Sequence, residues 1–146
     1  MGAGRPAAEA GLSEVSADAV PLCQLAELAE GQSRGFDPWQ DGKDSLFALR
    51  HRGRVRVYRN RCPHLDVPMH YRKDRFLSAD GQLIICYAHG AQFRPDTGAC
   101  IHGPCLGESL VALQCLERDG WLLLPVAQLS VHEVSRLAMV HIRSCD

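Results

Sequence analysis

The sequence predicts an all-β fold built from small antiparallel sheets. Three observations carry that expectation. The apolar runs are short and closely spaced, turn chemistry separates them, and two pairs of runs can fold back across two-residue turns.

Taken in order, residues 1–17 are small, polar and patternless, and read as a mobile tail. Val20 to Leu25 reads as a first strand. Gly31 to Asp44 contains Gly31, Gly35, Pro38 and Gly42 and reads as loop. Leu46 to Leu49 and Val55 to Tyr58 flank Arg52-Gly53, and the second run alternates with period two, so a hairpin is expected. Arg61 to Arg75 has no periodicity. Ser78-Ala79-Asp80-Gly81 is turn chemistry, with Gly81 able to take positive φ. Leu83-Ile84-Ile85 reads as a short buried strand and Gln92-Phe93-Arg94 as another extended piece. Pro95 to Gly98 then turns the chain. Leu110 to Leu116 and Trp121 to Leu124 are expected to pair across Asp119-Gly120. Ser130 to Glu133 fits a capping box, and Val134, Leu137, Ala138 and His141 follow at helical spacing, which predicts a short C-terminal helix.

Length and charge narrow the function. The chain has 146 residues, 16 basic against 17 acidic, a net charge of −1. That balance argues against a non-specific nucleic-acid or membrane-surface binder, which needs a basic excess. No apolar run approaches the roughly 20 residues of a membrane span. The first ten residues show no apolar signal region and no twin arginine, so a cytoplasmic location is expected. Seven cysteines fall at 23, 62, 86, 100, 105, 115 and 145. An odd count without an export signal speaks for a metal site over a disulfide framework.

The informative segments are Cys62-Pro63-His64 and Cys86-Tyr87-Ala88-His89, a C-x-H and a C-x-x-H separated by 21 residues. Each sits in a loop near an expected strand. Two thiolates and two imidazoles can bind zinc tetrahedrally. They can also hold a [2Fe–2S] cluster, sulfur on one iron and nitrogen on the other. Common zinc motifs pair Cys with Cys and His with His. Here each loop offers one of each, which suits an elongated cluster.

The segment from about residue 20 to 126 resembles the Rieske ferredoxin family. The likeness lies in RNRCPHLDVPM (59–69), CYAHGAQFRPDTGAC (86–100) and HGPCLGESL (102–110). The resemblance implies a stack of antiparallel sheets over residues 18–126, with 127–146 as a C-terminal extension. It implies one [2Fe–2S] cluster at an exposed tip, ligated by Cys62 and Cys86 on the inner iron and His64 and His89 on the outer. Gly90 would let the backbone pass close to the cluster, and Gly103-Pro104 would cover it from the side. The Rieske proteins of respiratory complexes carry a disulfide and hydroxyl donors around the cluster. The corresponding positions here are Val67 and Ala88, and Ala91 and Phe93, none of which can supply them. A potential in the low half of roughly −150 to +300 mV is therefore expected.

The remaining candidates are read more plainly. Cys100 and Cys105 are expected to pack as small residues under the cover loop, the competing reading being a redox-active or alternative-ligand pair. Cys23 and Cys115 are expected in the core, and Cys145 is incidental. His51, His70, His102, His132 and His141 are expected at the surface. Arg50, Arg52, Arg54 and Arg56 read as a solvated strand face, with docking to an acidic partner as the sharper reading. Trp39 and Trp121 read as packing anchors.

The function expected is that of a soluble one-electron carrier: a Rieske ferredoxin, or the small Rieske subunit of a larger oxidoreductase. It would take an electron from a reductase and pass it to an oxygenase or similar enzyme. It would catalyse no bond-making reaction itself, since no length remains for a second catalytic domain. A redox-sensing binding module and a zinc-bound structural domain are the rival readings.

Overall fold

The computed structural model describes residues 19–40, 42–63, 68–70, 72–88, 90–130 and 133. Ten strands run through them in chain order: β1 Ala19–Gln24, β2 Ser33–Phe36, β3 Leu46–His51, β4 Arg54–Arg59, β5 Ile84–Cys86, β6 Ala91–Phe93, β7 Cys100–His102, β8 Ala112–Leu113, β9 Leu116–Arg118 and β10 Trp121–Pro125. Every strand pairing is antiparallel. The all-β expectation is met. No helix among the described residues is long and apolar enough to cross a membrane. The chain divides into two compact units. One comprises residues 1–27, 38–42 and 114–146, the other residues 28–37 and 43–113.

The first unit contains a three-stranded sheet in the order β1-β10-β9. Leu122, Leu123 and Leu124 of β10 are buried, and Ala19 and Leu123 form a small cluster under Trp121. The ladder between β1 and β10 slips between Pro21 and Cys23, next to a proline that has no N–H to give it. Asp119 and Gly120 both have positive φ (54° and 81°), as a two-residue type I′ turn requires. The incoming strand of this hairpin is shorter than expected. Only Leu116–Arg118 pairs with β10, whereas Ala112 and Leu113 pair with β4 in the second unit. The apolar run from Leu110 to Leu116 thus serves two sheets, and Cys115, expected in the core, is only half-buried.

The second unit holds two sheets, one ordered β2-β3-β4-β8 and the other β5-β6-β7. The β3–β4 hairpin closes through Arg52 and Gly53, again both at positive φ (53° and 75°). Strand β2 lies within the stretch read as loop and corrects that reading. Its residues, Ser-Arg-Gly-Phe, carry little strand signal, and tertiary contacts hold them extended. Gly35 N donates to Asp74 Oδ1 at 2.7 Å and Ser33 Oγ donates to Asp74 O at 2.8 Å, so the outer edge is occupied. A Cβ on Gly35 would collide with the Asp44 carboxylate, so a larger residue there would have to displace that side chain.

Strand β5 starts one residue later than expected, and β7 carries almost no apolar signature in the sequence. Both are held by their neighbours: Cys86 opposes Ala91, and Phe93 opposes Cys100. One core joins the two sheets of this unit. Phe47, Leu49 and Tyr58 from the larger sheet pack with Phe76, Ile84 and Phe93. Phe47 and Phe76 stack at 4.2 Å, with ring planes 6° apart.

Candidate metal centre

The site grows from three loops of the second unit. The first follows β4, the second joins β5 to β6, and the third follows β7. Asn60 anchors the first. Its Oδ1 accepts from Met69 N at 2.7 Å, and its Nδ2 donates to Asp44 O at 2.8 Å and lies 3.1 Å from His70 Nδ1. One amide thereby closes the loop that carries Cys62. His70 is not the surface residue expected. It stacks on Phe76 at 4.6 Å, and burial pushes its pKa down, against the pull of Asp44. A neutral imidazole accepting at Nδ1 suits the Asn60 amide. His70 is thus half-buried; His51, inside β3, is buried, whereas His102 is exposed as expected.

The second loop is tied to the first by its backbone, since Tyr87 N donates to Met69 O at 3.0 Å. Gly90 N donates to Cys86 O at 2.7 Å, and Gly90 has φ +73°, a turn that disfavours side chains. The third loop lies against the second. Gly103 has φ +105°, and a Cβ there would sit 2.8 Å from Ala91 Cα. Two residues on, Cys105 Sγ lies 3.6 Å from Cys62 Sγ.

Cys62, Cys86 and Cys105 are each fully buried, Cys100 is nearly so, and all four belong to one core cluster. None of the four is in a disulfide. Packing of Cys100 and Cys105 beneath the third loop matches the plainer expectation for them. His64, His89 and Val67 lie outside the described residues, as do the N-terminal tail, His132, His141 and Cys145. Ala91 and Phe93 are fully buried and bring no hydroxyl. The capping box read at Ser130 and Glu133 is formed by reciprocal bonds. Glu133 N donates to Ser130 Oγ and Ser130 N donates to Glu133 Oε1. The residues that would continue the helix are outside the described set.

The Asn60 clamp and the contact between Cys62 and Cys105 were not foreseen. Asn60 stands two residues before a candidate ligand and carries both a donor and an acceptor, which is the only sequence signal for its role. Nothing in the spacing of Cys62 and Cys105 announces their meeting.

The second unit is all-β, and three of its loops carry buried cysteines that belong to one core cluster. The Rieske [2Fe-2S] domain model matches residues 18–126, and the chain belongs to that family. It is 31% identical over 83 residues to the ferredoxin component of an alkene monooxygenase system from Xanthobacter autotrophicus. That match covers 57% of this chain and 62% of the relative. Among solved structures it is similar to a Sphingomonas yanoikuyae B1 ferredoxin, with 26% identity, 73% of this chain and 96% of that one covered, and a TM-score of 0.57. The ferredoxin of carbazole 1,9a-dioxygenase from Nocardioides aromaticivorans IC177 shares the fold at 24% identity, with 73% and 95% covered and a TM-score of 0.56.

The family's group is one [2Fe–2S] cluster of Rieske type, and Cys62 and Cys86, the described half of the expected donor set, are of a kind and burial that suit it. Both are buried, neither is in a disulfide, and they sit on loops that hydrogen-bond to each other. An apolar surround of this kind limits water access and lowers the local dielectric, two of the levers that set a cluster's potential.

Proposed function

We propose that this chain is a soluble one-electron carrier, the ferredoxin component or small Rieske subunit of an oxygenase-type system, working in the cytoplasm. Its cluster-bearing domain is assigned to 18–126 and its extension to 127–146. Cys62 and Cys86 would hold the inner iron, and His64 and His89 the outer. When bound, the cluster supplies one reversible electron. The protein's own part is to seal the thiolates from water, fix both loops and leave the oxygenase chemistry to a partner. The partner class follows from the relatives: one is the ferredoxin of an alkene monooxygenase system and another that of a carbazole dioxygenase. Membership of the Rieske family favours this reading over a zinc-bound structural domain.

The observation that carries the proposal is the bond from Tyr87 N to Met69 O between two loops that each bear a buried cysteine. Electron paramagnetic resonance of the dithionite-reduced, anaerobically prepared protein tests it. A rhombic signal with low average g is expected, and it should vanish in Cys62→Ser and Cys86→Ser. Full signal in Cys62→Ser, or natively loaded protein without iron, would overturn the ligand assignment. The missing hydroxyls at Ala91 and Phe93 lead us to expect a potential in the lower half of the range from roughly −150 to +300 mV.

A further inference from the structure

Cys105 is a buried group to which the proposed ligand set gives no role. We infer that its thiol donates a hydrogen bond to the Cys62 sulfur and raises the reduction potential of the cluster; the inference rests on Cys62 being a ligand.

The geometry is direct. The two sulfurs are 3.6 Å apart, within hydrogen-bonding range for sulfur, and either could be the donor while both are thiols. Ligation removes the ambiguity, because a metal-bound cysteine is a thiolate and can only accept. Of the two sulfurs, Cys105 is then the one that can donate across the 3.6 Å contact.

The position of Cys105 is fixed by its own loop. Its carbonyl accepts from Glu108 N at 2.8 Å, and Leu106 N donates to Gly103 O at 3.2 Å. Gly103, pressed against Ala91, sets how closely the loop approaches the second cysteine loop. Both sulfurs are fully buried, so water does not compete for the bond.

The sign of the effect follows from charge. Reduction adds an electron, and negative charge on the ligand sulfurs increases. A donor aimed at one of them stabilises the reduced state more than the oxidised one. A thiol is a weak donor, so the effect is modest. It acts where hydroxyl donors are missing, since Ala91 and Phe93 provide none.

Voltammetry of the loaded full-length protein and of Cys105→Ala and Cys105→Ser tests the inference. Cys105→Ala should keep its iron and its rhombic signal. Its reduction equilibrium should weaken about threefold, or about 28 mV at 59 mV per tenfold for one electron. Cys105→Ser retains a donor and should recover most of that loss, which a cavity effect alone would not produce. Electron–nuclear double resonance on the wild-type protein needs no variant. One strongly coupled proton should disappear on exchange into deuterium oxide. An unchanged potential in Cys105→Ala, failure of serine to recover it, or absence of that exchangeable coupling would each overturn the role of Cys105. Full cluster signal in Cys62→Ser would instead overturn the ligand reading, so the two failures are distinguishable.

Discussion

The two sheets of the second unit are stabilised in different ways. The β3–β4 hairpin is a six-residue ladder on each side, paired from Leu46 and Arg59 to His51 and Arg54. It is held by its own backbone bonds and by a buried face, and it carries no candidate ligand. The sheet of β5, β6 and β7 has strands of three residues each. So few ladder bonds give little independent stability. What holds it is the shared core and the bonds from neighbouring loops, and Cys86 and Cys100 lie on it, whereas Cys62 lies on the loop after β4. The difference teaches that the scaffold and the site are separable in their chemistry but not in their packing. The larger sheet leads into the loop of Cys62, the smaller one ends in Cys86, and one core packs them together.

The strongest way to break this relation is at Phe76, which is fully buried between Phe47 and His70. Phe76→Ala should destabilise the protein by about 3–5 kcal/mol, as a large-to-small change in a packed core does. Chemical denaturation checks the loss, and iron content after mild purification should fall with it. A loss below about 1 kcal/mol would mean that the two sheets do not depend on one core.

Next comes Asn60, which belongs to neither sheet and closes the first cysteine loop. Asn60→Ala leaves the buried Met69 N–H without its acceptor, at a cost of about 1–3 kcal/mol. The local effect should exceed the global one. Hydrogen exchange should speed up at Met69 and Tyr87 before it does in β3 and β4. Equal acceleration everywhere would show that the clamp is not local.

How much of this was legible beforehand follows the same division. The β3–β4 hairpin could be read from Val55-Arg56-Val57-Tyr58 because period-two alternation is a local signal. Strand β2 could not, since Ser33 to Phe36 has no alternation of its own and is held extended by pairing with β3 and by Asp74, some forty residues away in sequence. Strand β7 was hidden for a similar reason: Cys100-Ile101-His102 has its partners in β6 and no alternation of its own. The run from Leu110 to Leu116 misled because one apolar stretch feeds two sheets. At the site, Cys62 and Cys86 were singled out as candidates by residue type and spacing, and both are buried on loops that bond to each other. The meeting of Cys62 with Cys105 was not, because it depends on how Gly103 rests on Ala91. His51 and His70 were misread as surface residues. A sequence does not show that a histidine will be stacked on a phenylalanine or enclosed within a strand.

A smaller effect, at a link between the two sheets, is expected at Tyr58. Its hydroxyl donates to Pro95 O at 2.7 Å in a buried setting, and burial pushes its pKa up to about 12. Tyr58→Phe should cost about 0.5–1.5 kcal/mol near neutral pH. The alkaline behaviour supplies a second readout. Between the ordinary value of 10.0 and about 12, the unfolded chain loses this proton while the folded one keeps it. Stability should therefore fall with rising pH across that window, by at most about 1.4 kcal/mol per pH unit. Tyr58→Phe should flatten that slope, measured against the wild type by urea denaturation at pH 9 and pH 11.

The smallest effect lies at the far end of the scaffold, where Glu30 caps the β3–β4 turn. Its two carboxylate oxygens accept from Arg52 N at 2.6 Å and Gly53 N at 2.8 Å. Those bonds hold its pKa below the ordinary 4.5, the bond from Gly53 counting most and that from Arg52 next. The sign is that of a depressed acid: the stabilisation is present above the ordinary value and is lost as pH falls through the lowered one. The turn is exposed, so water can replace the carboxylate, and the ladder of β3 and β4 does not need it. Glu30→Ala should therefore barely move the thermal midpoint at pH 7. It should speed amide exchange at Arg52 and Gly53 and leave Met69 and Tyr87 unchanged. A large drop in midpoint would show that the hairpin, like the cysteine loops, depends on side-chain clamps, and the contrast between the two regions would fail.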